Sequence, residues 1–308
     1  MRIHLDTDLG SNPDDLCALA MVLGWPGAEL TGVTTTSDPG GLRAGFVRHA
    51  LGLAAHREVP VAAGADGSLG GYVLSPVSIP DHWPEPIPPR PGRPGEAIDL
   101  LAASAEIGAT IVALGPYTNL AMVEAARPGL LAAAGVVMMG GHLPPTPEGF
   151  PRWGVEEDFN VQQDAVAAKV VMGRCRPTVV GLAPSMTVGL RREHIEPLRG
   201  SGPLGRLMAD QAEAHARDNA LPELAQAHPA IGEGLLNFQH APLACAVALG
   251  WDGVAIADLA IGFEVREDGL VHMKPDETAP QLPVVTAVEG LRFERVWLEA
   301  VTRASSGS

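Results

Sequence analysis

Short β-branched or apolar runs alternate along the chain with longer stretches whose apolar residues recur at helical spacing. RIHL precedes DDLCALAMVLG, ELTGVTTT precedes GLRAGFVRHALGLAAH, and VPVAAG follows that second helix. EAIDLLAASAEI reads as a helix leading to the strand ATIVALG and the short helix NLAMVEAA. AGVVMMGG and RPTVVGLA read as strands on either side of the helix QQDAVAAKVVMG. This repetition predicts one α/β domain over 1–303, built on an open, mostly parallel, Rossmann-like sheet with helices on both faces and extra C-terminal helices. Residues 304–308 are expected to be a disordered tail.

In such sheets ligands bind beyond the carboxyl ends of the strands. Four polar or glycine-rich stretches sit there: DTDLGSNPDD, SDPGG, GPYTN and GGHLPP. Residues 74–95, LSPVSIPDHWPEPIPPRPGRPG, are too rich in proline for regular structure and predict a long loop.

Composition narrows the function. The 308 residues are 46% hydrophobic, enough for a large core, and carry a net charge of −15. That balance argues against nucleic acid or an anionic membrane as partner and suits a site for cations or neutral solutes. No uncharged apolar run is long enough to span a membrane, and no secretory leader is recognisable. Cys17, Cys175 and Cys245 are odd in number, widely spaced and free of any C-x-x-C pattern. They read as reduced core residues of a cytoplasmic protein.

The densest chemistry lies in LDTDLGSNPDD, residues 5–15, where Asp6, Asp8, Asp14 and Asp15 fall at one strand–helix corner with no lysine or arginine between them. Acidic residues suit a first helical turn, which accounts for Asp14 or Asp15. It does not account for Asp8. Crowded carboxylates raise one another's pKa unless a positive charge intervenes, and a hard divalent cation held by oxygen ligands supplies one.

The motifs continue in order down the chain: ALGPYTNLAMVE, VVMMGG, EEDFNVQQDAVAA and QHAPLACA. Together with DTDLGSNPDDLCALAMVL they resemble the nucleoside hydrolases of the inosine-uridine-preferring type. This chain has two extra residues before the Asp pair. The resemblance implies a homodimeric or homotetrameric enzyme that binds one Ca²⁺ and hydrolyses the N-glycosidic bond of a ribonucleoside. It implies Asp8 as calcium ligand and general base, Asp15 as a second ligand, and the backbone carbonyl of Thr118 as a third. Asp14 and Asn160 would hold the ribose hydroxyls, with Asp158 where the family has glutamate and Asp38 near a ribose-contacting Asn or Asp. His240 would protonate the leaving base; His82, in the Pro-rich loop, is a second histidine that could approach it.

The chemistry is consistent with those roles. The base leaves through an oxocarbenium-like state, which carboxylates on the ribose face stabilise. A metal lowers the pKa of water, and a neighbouring carboxylate takes the proton.

Three departures from the pattern cluster at the same place. Ala241 replaces the aspartate of H-D-P-L-A, and a methyl group cannot ligate a hard cation unless Asp6, water or another side chain fills the gap. The family's G-N ahead of E-F-N is missing from FPRWGVEEDFN, where Arg152 and Trp153 near the ribose site would alter selectivity, and Asp158 is one methylene shorter than glutamate. Two other readings follow. One is a non-catalytic protein that holds a ribosyl ligand. The other is a Mg²⁺-dependent haloacid-dehalogenase-type phosphatase, with Asp6 as nucleophile and Asp8 as acid/base.

Overall fold

The computed structural model describes residues 1–70, 82–143, 145–267 and 269–306. Residues 74–81 of the Pro-rich stretch and 307–308 of the expected tail lie outside these.

Nine strands form the main sheet: β1 (Arg2–Thr7), β2 (Glu29–Thr35), β3 (Val61–Ala63), β4 (Thr110–Ala113), β5 (Val136–Met139), β6 (Thr178–Val180), β9 (Val254–Val265), β10 (Val271–Pro275) and β11 (Gln281–Val288). Their order is β10-β9-β11-β6-β5-β4-β1-β2-β3. Strands β1 to β6 run parallel to their neighbours, and β11 runs parallel to β6. In this sheet β9 runs antiparallel to both of its neighbours, β10 and β11, near one edge. β7 (Gly189–Arg191) and β8 (Leu235–Phe238) make a separate antiparallel pair.

Alternation along the strands feeds two cores, because successive side chains point to opposite faces. Val112, Val137, Val180 and Val285 enter one apolar cluster, whereas Ile111, Val136, Val179 and Val284 enter the other. The first core is covered by the helices Pro13–Gly24, Leu42–Leu53, Pro203–Asp218, His240–Ala248 and Gly290–Ser306, and the second by Glu96–Glu106, Thr118–Ala126 and Ala165–Arg174. The three cysteines are free and buried. Among the described residues no helix is long and apolar enough to cross a membrane.

The predicted mostly parallel, two-faced α/β architecture is what the chain adopts. One expectation fails at the C-terminus. Residues 304–306 belong to the helix Gly290–Ser306, with Ala304 and Ser305 buried, so there is no disordered tail at those positions. The apolar stripe VWLEAVTRAS continues at helical spacing to Ala304, and the helix packs across Pro13–Gly24. A Cβ on Gly24 would lie 1.9 Å from the carbonyl of Ala300, so only glycine permits this approach, and Arg303 Nη1 donates to Gly24 O at 2.6 Å.

The order of the parallel strands reverses between β1 and β4. Chain segments leaving the carboxyl ends of these two strands part to opposite sides and open a crevice.

Candidate functional site

That crevice is a cavity of about 520 Å³. β1 delivers Asp8 to its floor. Asn12 then caps the helix Pro13–Gly24, accepting from Asp14 N at 3.4 Å, and Pro13 takes the first helical position. Asp14 and Asp15 therefore stand in the first turn, where the unpaired N–H groups favour negative charge. All three carboxylates line the cavity. Asp15 accepts from the Thr7 hydroxyl, and Asp14 Oδ2 accepts from Ala241 N at 3.0 Å. Burial, and then the charges of Asp8 and Asp14, hold Asp15 well above the usual carboxylate range. Burial pushes Asp14 up to about 7 and raises Asp8, the latter opposed by the charge of Arg43.

The next wall comes from β4 and β5 and the segment after them. Asn160 Nδ2 donates to Leu114 O at 2.6 Å and Met139 O at 3.0 Å, tying together the ends of both strands. With its amide protons so placed, Asn160 offers its Oδ1 to a ligand. Asp158 Oδ2 accepts from Gly141 N at 2.9 Å, and burial pushes Asp158 up to about 7. Gly140 is needed beside it: its φ is +140°, and a Cβ there would lie 2.2 Å from the Tyr117 hydroxyl.

The far end is different in kind. Phe238 at the end of β8, Trp153 and His240 form an aromatic corner, with Trp153 and Phe238 edge to face at 5.3 Å. His215 and Asn219, one turn apart on the helix Pro203–Asp218 and its C-cap, complete the rim. Burial, then the neighbouring His215, pushes His240 down to about 4, so its imidazole is neutral at neutral pH. Ser185 Oγ lies 3.0 Å from Leu182 O and 2.8 Å from His240 Nδ1. If the hydroxyl gives its one hydrogen to the Leu182 carbonyl, it accepts from Nδ1–H and leaves Nε2 as an acceptor.

The cavity thus gathers Asp8, Asp14, Asp15, Asp158, Asn160 and His240. The remaining expected residues lie elsewhere. Asp38 takes the backbone N–H of Arg43 at 2.6 Å and of Ala44 at 3.1 Å, as well as the Thr35 hydroxyl at 2.6 Å. It anchors the start of the helix Leu42–Leu53 and does not line the cavity. Thr118 is buried off the lining, its hydroxyl on Asp164 Oδ2 at 2.6 Å. Asp6 is fully buried off the cavity lining, its Oδ1 bonded to Thr34 and Asn119. His82 is bound to Asp218 Oδ2 at 2.7 Å, outside the cavity lining. Its neighbour Trp83 stacks on Phe46 at 4.2 Å, and the Phe46 ring lies against Gly10, where a Cβ would come within 2.6 Å of it. The described part of the Pro-rich segment therefore braces the aspartate loop from behind.

Arg43, His215, Asn219 and Phe238, which belong to none of the sequence motifs, also line the cavity, as does Ser11 from within the aspartate motif. The histidines of the helix around 215 were visible as residues, but nothing local tied them to a site.

The donor set suits a hard divalent ion in kind: three mutually repelling carboxylates face one polar cavity. It is not closed, because Ala241 presents a backbone N–H to Asp14 in place of a carboxylate. Among the described residues no three His, Cys, Asp or Glu side chains converge into a complete metal cluster.

The family model for inosine-uridine preferring nucleoside hydrolases matches residues 3–297. A pyrimidine-specific ribonucleoside hydrolase, RihA, from Salmonella paratyphi A is 28% identical over 224 residues, covering 68% of this chain and 70% of its own. The RihA of Klebsiella pneumoniae is 29% identical over 230 residues, with the same coverage. A plant nucleoside hydrolase superposes with a TM-score of 0.76 at 21% identity, over 98% of each chain. A purine-preferring ribonucleoside hydrolase from Gardnerella vaginalis gives 0.75 at 22% identity over the full length of both. The chain belongs to the inosine-uridine preferring nucleoside hydrolase family.

Proposed function

We propose that this protein hydrolyses the N-glycosidic bond of a ribonucleoside or related N-riboside, releasing base and ribose, in a calcium-dependent reaction. The observation that carries the reading is the convergence of Asp8, Asp14, Asp15, Asp158 and Asn160 on one cavity at the β1/β4 reversal, facing an aromatic corner.

Asp8 and Asp15 would hold the ion; the Thr118 carbonyl, which the family resemblance implies as a third ligand, belongs to a residue off the cavity lining. When bound, the ion supplies a positive charge that favours deprotonation of water and anchors vicinal hydroxyls. Asp8 takes the proton from the attacking water. The water oxygen bonds to C1′ as the C1′–N bond breaks, and the bonding pair leaves with the base. Asp14 and Asp158 accept from the ribose hydroxyls, and Asn160 presents Oδ1 to them. Their charge also steadies the positive ring of the transition state. Trp153 and Phe238 give the base an apolar face. His240, neutral at rest with Nε2 as an acceptor, meets the base as a hydrogen-bond acceptor and is not a standing acid for its departure. The reading also includes a cytoplasmic homodimer or homotetramer.

The test is a panel of ribonucleosides assayed for free ribose, with added Ca²⁺ and with chelator. Ribose release that chelation abolishes is the expected result. Nucleoside binding with no turnover in either condition would favour the second reading, a ribosyl-binding protein, which Ala241 supports.

A further inference from the structure

No lysine or arginine lies between the four aspartates in the sequence. The fold brings one in from 28 residues beyond Asp15, on the first turn of the helix Leu42–Leu53. We propose that Arg43 is a positioning residue that serves the aspartate cluster as a resident cation, and that its charge lowers the affinity of the cavity for a divalent ion. The proposal rests on the reading of Asp8 and Asp15 as ion ligands.

Arg43 is fully buried and lines the cavity. Its guanidinium is held from three sides. Nε donates to Ser37 O at 2.8 Å; Nη1 donates to Asp8 O, to Leu9 O at 3.3 Å and to Ser11 Oγ at 3.2 Å; Nη2 donates to Ser11 Oγ at 3.2 Å. These partners are carbonyls and a hydroxyl, so the bonds fix the group without cancelling its charge. Its field falls on the carboxylates of Asp8 and Asp15, both of which it favours in the ionised form. A buried guanidinium with no such compensation would be strongly unfavourable.

The same bonds clasp the segment 8–11, which sets where Asp8 ends and where the next helix begins. Asp38 secures the other end of the clasp by holding the backbone N–H of Arg43 itself. On the far side, the first turn of the helix His240–Ala248 contributes a second positive element, the Ala241 N–H on Asp14. The carboxylate wall is thus assembled by groups of the chain, and an arriving ion meets a site already partly neutralised. A unit charge acting on a divalent ion some 6 Å away through a water-like medium alters its binding by about tenfold.

The experiment is calorimetric titration of CaCl₂ into the chelator-treated full chain, for wild type, Arg43→Gln and Arg43→Lys. The Gln variant is expected to bind Ca²⁺ about tenfold more tightly than wild type, and the Lys variant within about threefold of it, since Lys keeps the charge and loses the fork. A residue that merely stapled the loop would give weaker binding in both variants. Wild-type binding with equal or weaker binding by Arg43→Gln overturns the proposal and leaves the metal reading standing. No binding by any of the three overturns both. If the Gln variant is poorly folded, Arg43→Lys decides: tightening of the Gln size, with the charge retained, overturns the proposal, and affinity within threefold supports it.

Discussion

The two ends of the cavity are built by opposite means. The carboxylate end, proposed to face the ribose, stands on strand tips: Asp8 follows β1, Leu114 follows β4 and Met139 ends β5, and each is fixed by the register of the central parallel strands. The aromatic end, proposed to face the base, stands on the short pair β7/β8 and on helices packed after the sheet, with Phe238 and His240 arriving from one segment and His215 and Asn219 from another. Sheet register is rigid, and a one-residue slip would turn every side chain to the wrong face. Helix and loop placement admits variation without loss of the core. The chemistry common to a reaction is therefore expected at the first end, and the choice of substrate at the second.

Breaking the first end should have the largest effect. Asp8→Ala is expected to reduce ribose release by about 10³-fold or more while the far-ultraviolet circular dichroism stays unchanged. Near-normal turnover in that variant would remove Asp8 from the mechanism. At the second end, Phe238→Ala or Trp153→Ala should raise KM by about tenfold for the preferred nucleoside with a much smaller change in kcat, because stacking on the base is shared by ground and transition states. A collapse of kcat with KM unchanged would erase the proposed division of labour. Ala241→Asp offers another carboxylate to the ion and should tighten Ca²⁺ by roughly fivefold in calorimetry. No gain would mean that position 241 does not face the ion.

The smallest effect is on stability. Burial raises Asp6, Asp14 and Asp158 to about 7 from the ordinary 3.8, so the folded state holds protons that the unfolded chain releases. Stability from these groups is complete below the unfolded pKa and is lost as pH rises through about 7. The buried histidines His4, His215 and His240 act oppositely as pH rises through their ordinary value of 6.5, and offset part of this loss. Chelated protein is thus expected to show a Tm lower by about 2–4 °C at pH 8 than at pH 6.5. Scanning calorimetry in the two buffers would show it, and a Tm that rises over this interval would contradict the assignment.

The same division explains what could be read from the sequence. The six parallel strands and their helices announce themselves because each carries its own period. Asp8, Asp14 and Asp15 were legible because strand, cap and helix start are contiguous. Asp38 misled: an aspartate after a strand looks alike whether it meets a ligand or caps a helix, and here the backbone N–H groups of Arg43 and Ala44 claim it. His82 misled similarly, since Asp218, 136 residues away, holds it. Arg43 gave no local sign, because its meaning lies in carbonyls far back in the chain. β9 to β11 were not anticipated; β9 is only partly buried and lacks the solid apolar run of the inner strands.

The contact between Pro13–Gly24 and Gly290–Ser306 has a consequence in time. The helix that carries Asp14 and Asp15 is synthesised early, yet the residue that grips its final carbonyl, Arg303, emerges 279 residues later. Domains are made from the amino end forward, and pairings of such long sequence separation close last. While the chain is on the ribosome, the acidic helix lacks the cover over its outer face, so that face must wait, exposed, while the next 279 residues are made. A shortened message would then yield a chain holding every aspartate of the cluster but no finished support beneath them.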